Sequence, residues 1–184
     1  MQSPNESAIG GDANERLTAT AQQLRWYAVY TAANHEKKVA DRIGARDLEY
    51  YFPTYVTKRR WSDRVMRVHA PLFPGYVFVR MDMTSLLHVL SVSGVVRMVG
   101  FPQPKPLLDE EVEALRGCLA QHHEAKPHPY IGPGQRVRLR SGPLRGLEGV
   151  VLREKSNCRF VVCLDLIMRA ISVEVDAADL TDCY

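Results

Sequence analysis

The chain has 184 residues, 46% hydrophobic, 24% charged and 8% aromatic, which is enough for one or two small cores and too unbiased for a collagen, a disordered chain or a coiled coil. Its net charge of +3 is uneven: residues 26–69 carry +4 (nine basic, five acidic), 1–25 and 70–130 carry −1 each, and 131–184 carry +1. The local basic surplus points to an anionic partner at one place on the surface, and no run of about 18 apolar residues is present to form a membrane-spanning helix.

Residues 1–24 are rich in Ser, Asn, Gln, Gly and Ala without a hydrophobic period, so a disordered tail is expected there. They also lack the apolar stretch of a secretory signal, and a cytoplasmic location follows. Arg25 to Thr31 crowds aromatic and β-branched residues and predicts a strand. A helix follows to about Leu48, with Asn34 as its cap, Val39 and Ile43 as its apolar stripe, and Lys37, Lys38, Asp41 and Arg42 on its wet side. Tyr51 to Arg60 and Val65 to His69, joined by a Ser62-Asp63 turn, predict a hairpin with a basic end: Lys58, Arg59, Arg60, Trp61 and Arg64. In Pro71 to Met81, Gly75 marks a close backbone approach, and Tyr76, Val77, Phe78 and Val79 form a continuous apolar strand of the kind buried on both faces. A short helix over 84–91, a strand over 94–99 and a helix capped by Asp109, with Val112, Leu115 and Leu119 inward, complete a first domain over 25–120.

Residues 121–133 contain Pro127, Pro129 and Pro133 and suit a semi-extended linker. From 134 to 184 the pattern changes to short strands. Val137 and Leu139 alternate with arginines, Gly146 to Arg153 and Arg159 to Leu166 follow, and Ile171, Val173 and Val175 alternate with polar residues, suggesting a small barrel. β-Branched residues, together with Gly142, Pro143, Gly146 and Gly149, favour sheet over helix in this segment. A barrel moving independently of the first domain is the expectation.

The chain shows no nucleophile elbow, zinc-protease motif or P-loop, so it does not read as an enzyme and no cofactor is expected. Cys118, Cys158, Cys163 and Cys183 form no C-x-x-C pair and read as buried free thiols, and the six histidines have no metal spacing.

Two separated segments carry a resemblance. The first is Trp26 to Tyr30 together with Leu72 to Val79 (LFPGYVFV), and the second is Gly134 to Val151 (GQRVRLRSGPLRGLEGVV). In this order they resemble the NusG family of transcription elongation factors, an NGN domain followed by a KOW domain, over nearly all of residues 25–181. The implied fold is α+β: an antiparallel sheet flanked by helices, then a small all-β barrel. The implied function is to bind the clamp helices of the largest RNA polymerase subunit, suppress pausing or termination, and recruit a second partner through the barrel. By position the polymerase site would use Tyr30, Phe73, Pro74, Tyr76, Phe78 and Met98, aromatic anchors of the kind that dominate interfaces; core packing is the competing role for these rings. His35, Lys38, Arg42 and Arg46 on the first helix, with Lys58, Arg59, Arg60 and Trp61 on the hairpin, would contact the non-template DNA strand in the transcription bubble through phosphates and a stacked base; a solvated helix face is the alternative.

Where the family carries a Phe-Gly-Arg loop, this chain has Ile167, Met168 and Arg169, which weakens the case for Rho while leaving a small-subunit ribosomal protein as a barrel partner. LFPGYVFV, the RRWSD hairpin and SGPLRGLEG are similar to specialised paralogues of the RfaH type. A monomer is expected. The rival reading is a ribosome-associated RNA-binding KOW protein.

Overall fold

The computed structural model describes residues 23–61, 64–121, 125–130, 137–138, 148–154 and 157–175. Residues 1–22 of the tail expected over 1–24, the Ser62-Asp63 turn, and the segments 139–147 and 176–184 lie outside the described residues.

A four-stranded antiparallel sheet in the order β2-β5-β1-β6 organises the first half. It comprises β1 (Arg25–Thr31), β2 (Glu49–Tyr51), β5 (Tyr76–Met81) and β6 (Val95–Met98). The expected apolar run is the adjacent central strand β5: it pairs with β1 on one side, from Arg25 opposite Met81 to Tyr30 opposite Tyr76, and with β2 on the other. Because side chains alternate, this register divides the sheet into two faces. Tyr27, Val29, Val77, Val79, Met81 and Met98 share one core with Val39, Ala40 and Ile43 of helix α1 (Glu36–Gly44) and with Val89 of helix α2 (Leu86–Leu90). Trp26, Ala28 and Phe78 lie on the opposite face with Leu107, and with Val112 and Leu115 of helix α3 (Asp109–Gln121).

Two expected helix caps are displaced. Asn34 has φ 59°, a left-handed conformation that Asn tolerates, and α1 starts after His35, which makes no side-chain cap. Asp109 is the first residue of α3, and its carboxylate turns to Arg80 (3.4 Å) while Glu111 reaches back to the Leu108 N–H (3.3 Å), one half of a capping box. Before α2, Asp82 caps a single 3-10 turn (Met83–Ser85) by accepting from the Ser85 N–H (3.0 Å) and the Thr84 hydroxyl (2.5 Å), bonds that lower its pKa.

Strands β3 (Thr54–Trp61) and β4 (Arg64–Pro71) form the expected hairpin as a separate two-stranded sheet. The C-terminal residues form a five-stranded antiparallel sheet in the order β7-β11-β10-β9-β8, made of β7 (Lys126–His128), β8 (Val137–Arg138), β9 (Glu148–Glu154), β10 (Asn157–Leu164) and β11 (Arg169–Val175). The expected α+β class, a sheet with helices and then a small all-β unit, is therefore what the chain adopts. β7 lies within the proline-bearing segment read as a linker; Pro127 is tolerated because an edge strand leaves one side of the ladder unused. Cys163 is buried and unpaired. Among the described residues no helix is long and apolar enough to cross a membrane, and no group of three or more His, Cys, Asp or Glu residues could hold a metal ion.

The second unit does not stand apart from the first. Ala125, Val162, Leu164, Ile167, Ile171 and Val173 belong to the same buried cluster as Trp26, Leu72, Phe73, Phe78, Val112 and Leu115. The expectation of an independently moving C-terminal domain is corrected on this point: its strands are β as expected, but one face is docked. The cause is the sheet's second apolar face, which α3 alone does not cover.

Arg116 locks α3 onto that sheet. Its guanidinium lies over Trp26 (4.6 Å) and Tyr51 (4.9 Å) while donating to Glu49 (3.1 Å) and Glu113 (3.0 Å). Arg116→Ala is expected to lower stability by about 1–2 kcal/mol, through lost cation–π contact and stem packing, as measured by urea denaturation.

Candidate functional site

The apolar surface is set by a turn. Phe73 C=O accepts from the Tyr76 N–H (3.0 Å), with Pro74 and Gly75 between them and Gly75 at φ +85°, a type II arrangement. The buried carboxylate of Glu36, at the start of α1, accepts from the Gly75 N–H (2.9 Å), and Gly75 C=O accepts from the Thr31 N–H (2.9 Å). The turn is thus tied to both α1 and β1. A Cβ at Gly75 would sit 3.1 Å from the Tyr30 ring.

This fixed bend aligns four of the expected residues. Tyr30 and Tyr76 pack at 5.4 Å between ring centroids, and Phe73 meets Phe78 edge to face at 5.6 Å. Pro74 is exposed on the bend. Met98 is not part of this surface: paired with Val29, it points into the opposite core and is fully buried. A residue at a strand's end cannot be assigned a face without the register, and the β1–β6 pairing shifts register between Tyr30 and Thr31 of β1.

The residues expected to bind a partner through the second domain are on the same seam. A 3-10 turn (Asp165–Ile167) ends at Met168, which has φ 50° and is exposed. Ile167 is buried in the shared cluster with Phe73 and Phe78, and the Arg169 guanidinium lies 5.7 Å from the Tyr76 ring centroid. The two sets of residues, expected on different surfaces, lie against each other. A cavity of about 220 Å³, lined by Leu107, Leu108 and Glu111 on one side and Cys163, Leu164 and Leu166 on the other, remains in the seam.

The basic residues separate into two groups. Arg42 of α1 donates to the Ser93 carbonyl (2.5 Å), and Arg46, just past the end of α1, donates to the His88 carbonyl of α2 and to the Ser91 hydroxyl (2.8 Å), so the two tie this segment to α2 and the loop after it. His35 and Lys38 are exposed beside them. On the hairpin, Lys58, Arg59 and Arg60 are exposed; the Trp61 side chain lies outside the described part. A cleft of about 750 Å³ separates Lys37, Ala40 and Asp41 of α1 from Arg59, Val68 and Ala70 of the hairpin.

A sequence profile described as "NusG: Transcription termination factor nusG" matches residues 24–116, the segment holding the four-stranded sheet, the hairpin and most of α3. The chain belongs to the NusG family. Relatives named transcription termination/antitermination protein NusG include that of Pseudomonas aeruginosa, 30% identical over 83% of this chain and 94% of its own, and that of Buchnera aphidicola, 29% identical over 85% and 94%. A solved structure described as the domain interaction in Thermotoga maritima NusG shares the fold, with a TM-score of 0.51 at 23% identity over 85% of this chain and 96% of that one. The family assignment makes the chain a transcription factor of NusG type.

Gly75→Ala should cost about 1–3 kcal/mol, since an L side chain at this φ is strained and its Cβ meets the Tyr30 ring; a thermal melt that matches wild type would show that the bend relaxes freely.

Proposed function

We propose that the chain is an elongation and antitermination factor that binds the clamp helices of the largest RNA polymerase subunit through Tyr30, Phe73, Tyr76 and Phe78. The exposed cations of α1 and the hairpin face the non-template DNA strand. The turn at Ile167, Met168 and Arg169 recruits a second partner, for which a small-subunit ribosomal protein fits better than Rho. Nothing in the site requires bond-making chemistry. The factor acts by binding one state of the polymerase more tightly than another, which shifts it away from pausing.

The observation that carries this reading is an apolar face with two aromatic pairs on a rigid bend, larger than its own domain covers. Such a face is an interface in waiting. Here its cover is the C-terminal turn, so docking occupies both binding surfaces at once, and polymerase engagement requires the seam to open. The rival reading, a ribosome-associated protein led by its KOW domain, leaves the aromatic bend from Phe73 to Tyr76 without a role.

Binding of isolated clamp helices to the full chain tests the proposal. Ile167→Asp should undock the seam and tighten binding: a docked state favoured by about 1.4 kcal/mol lowers apparent affinity about tenfold. Tyr76→Ala, in the same undocked background, should weaken it by about 1–3 kcal/mol. If the folded Ile167→Asp variant binds no better than wild type and Tyr76→Ala binds equally well, the apolar face is not the polymerase site.

A further inference from the structure

Tyr30 and Tyr76 are the middle of a longer row. Arg97 of β6 stands opposite Tyr30, and Tyr30 stands opposite Tyr76, so the three side chains line up across β6, β1 and β5 on one face of the sheet. The Arg97 guanidinium lies over the Tyr30 ring, 5.4 Å from its centroid, and Arg169 of β11 lies over the Tyr76 ring at the other end, 5.7 Å from its centroid. Both distances fall within the roughly 6 Å over which a ring face attracts a cation. Each ring thus carries one cation, the first from its own domain and the second from the C-terminal unit.

Arg169 is held differently from Arg116. Arg116 covers Trp26 and Tyr51 while Glu49 and Glu113 accept its N–H groups, all within one domain. Arg169 is exposed, and among the described residues no carboxylate pairs with its guanidinium, which has only the half-buried Tyr76 ring beneath it. When the seam opens, Arg97 stays with the sheet and Arg169 leaves with β11. Tyr76 then presents an uncovered, electron-rich face next to the apolar rings of Phe73 and Phe78.

We propose that the face of Tyr76 is a cation subsite of the polymerase interface, held by Arg169 in the docked chain and taken by an arginine of the clamp helices in the complex. This rests on the assignment of the aromatic face to the polymerase, and adds the chemistry of the residue that meets it. The C-terminal turn is the template. It sets Ile167 into the cluster of Phe73 and Phe78 and, two residues on, a guanidinium over Tyr76. A competitor for the same surface has to match both features, an apolar side chain at the centre and a cation at the rim. A helix offers such a pair at i,i+3 or i,i+4. A carboxylate at the rim would meet the negative face of the ring, and an apolar side chain would forgo the attraction. Arginine suits the place better than lysine because its planar guanidinium stacks on a ring and is more weakly hydrated than an ammonium.

The test is a double-mutant cycle between the full chain and isolated clamp helices, followed by calorimetry in the Ile167→Asp background so that docking does not compete. Each arginine of the helices is replaced singly by glutamine, and each product is titrated against the chain with Tyr76 intact, with Tyr76→Phe and with Tyr76→Leu. Tyr76→Phe keeps the ring face and should bind within about twofold of the intact chain, whereas Tyr76→Leu keeps apolar bulk without the face and should bind about fivefold or more weaker. One arginine should couple to the ring: its replacement weakens binding about fivefold or more to the intact and Tyr76→Phe chains and leaves binding to the Tyr76→Leu chain unchanged. With Ile167 intact, Arg169→Gln should tighten clamp-helix binding about two- to fivefold, and Arg169→Lys, which keeps a cation for the ring, should match wild type. The proposal is overturned if no arginine couples to Tyr76, or if Arg169→Gln leaves the affinity unchanged. The Arg169 variants need no change at Tyr76, so they decide the matter even where Tyr76→Leu fails to fold. If Tyr76→Leu weakens binding and no arginine couples, only the cation subsite falls; if Tyr76→Leu binds every helix as tightly as the intact chain, the polymerase assignment of this face falls with it.

Discussion

Phe73 and Phe78 meet edge to face in the buried cluster they share with Ile167, where both halves of the chain converge. They are there because a sheet with two apolar faces must be covered twice. Helices α1 and α2 cover one face, and α3 covers only part of the other. Burying each of the two rings is worth about 1.5–3 kcal/mol relative to leaving it in water. The second domain supplies that burial in the free chain, and the proposed clamp helices would supply it in the complex. Competition between the two covers links the fold to the proposed function.

The polar contacts around this face keep its shape independent of which cover is present. Arg116 pins α3 between Trp26, Tyr51, Glu49 and Glu113, and Arg80 joins Glu49 to Asp109. These contacts lie within the first domain. So do the Glu36–Gly75 and Gly75–Thr31 hydrogen bonds that fix the aromatic bend. A preformed surface loses less ordering entropy on association than one assembled by its partner.

Much of this was legible from residue patterns. The apolar run Tyr76 to Val79 marked a central strand, the basic hairpin was bounded by turn residues, and the Pro-Gly pair before Tyr76 marked the bend. Three things were not. Met98 required the strand register, which sequence does not give, and it faces the other core. Arg42 and Arg46 had the helical spacing of a phosphate-binding stripe, but that spacing also serves to reach the carbonyls of a neighbouring helix and loop. Docking was invisible because Leu164 and Ile171 belong to strands whose pattern fits a barrel and Ile167 to the turn between them, and period alone does not say whether an apolar residue faces its own core or another domain.

The competition between covers is tested most directly by methyl and aromatic NMR on the isotope-labelled full chain, titrated with isolated clamp helices. Signals from Ile167 and Ile171 should shift toward those of an undocked C-terminal domain over the same concentration range in which Tyr76 and Phe78 respond. Saturable binding that leaves Ile167 and Ile171 unshifted would mean that the polymerase helices dock elsewhere, and would contradict the competition.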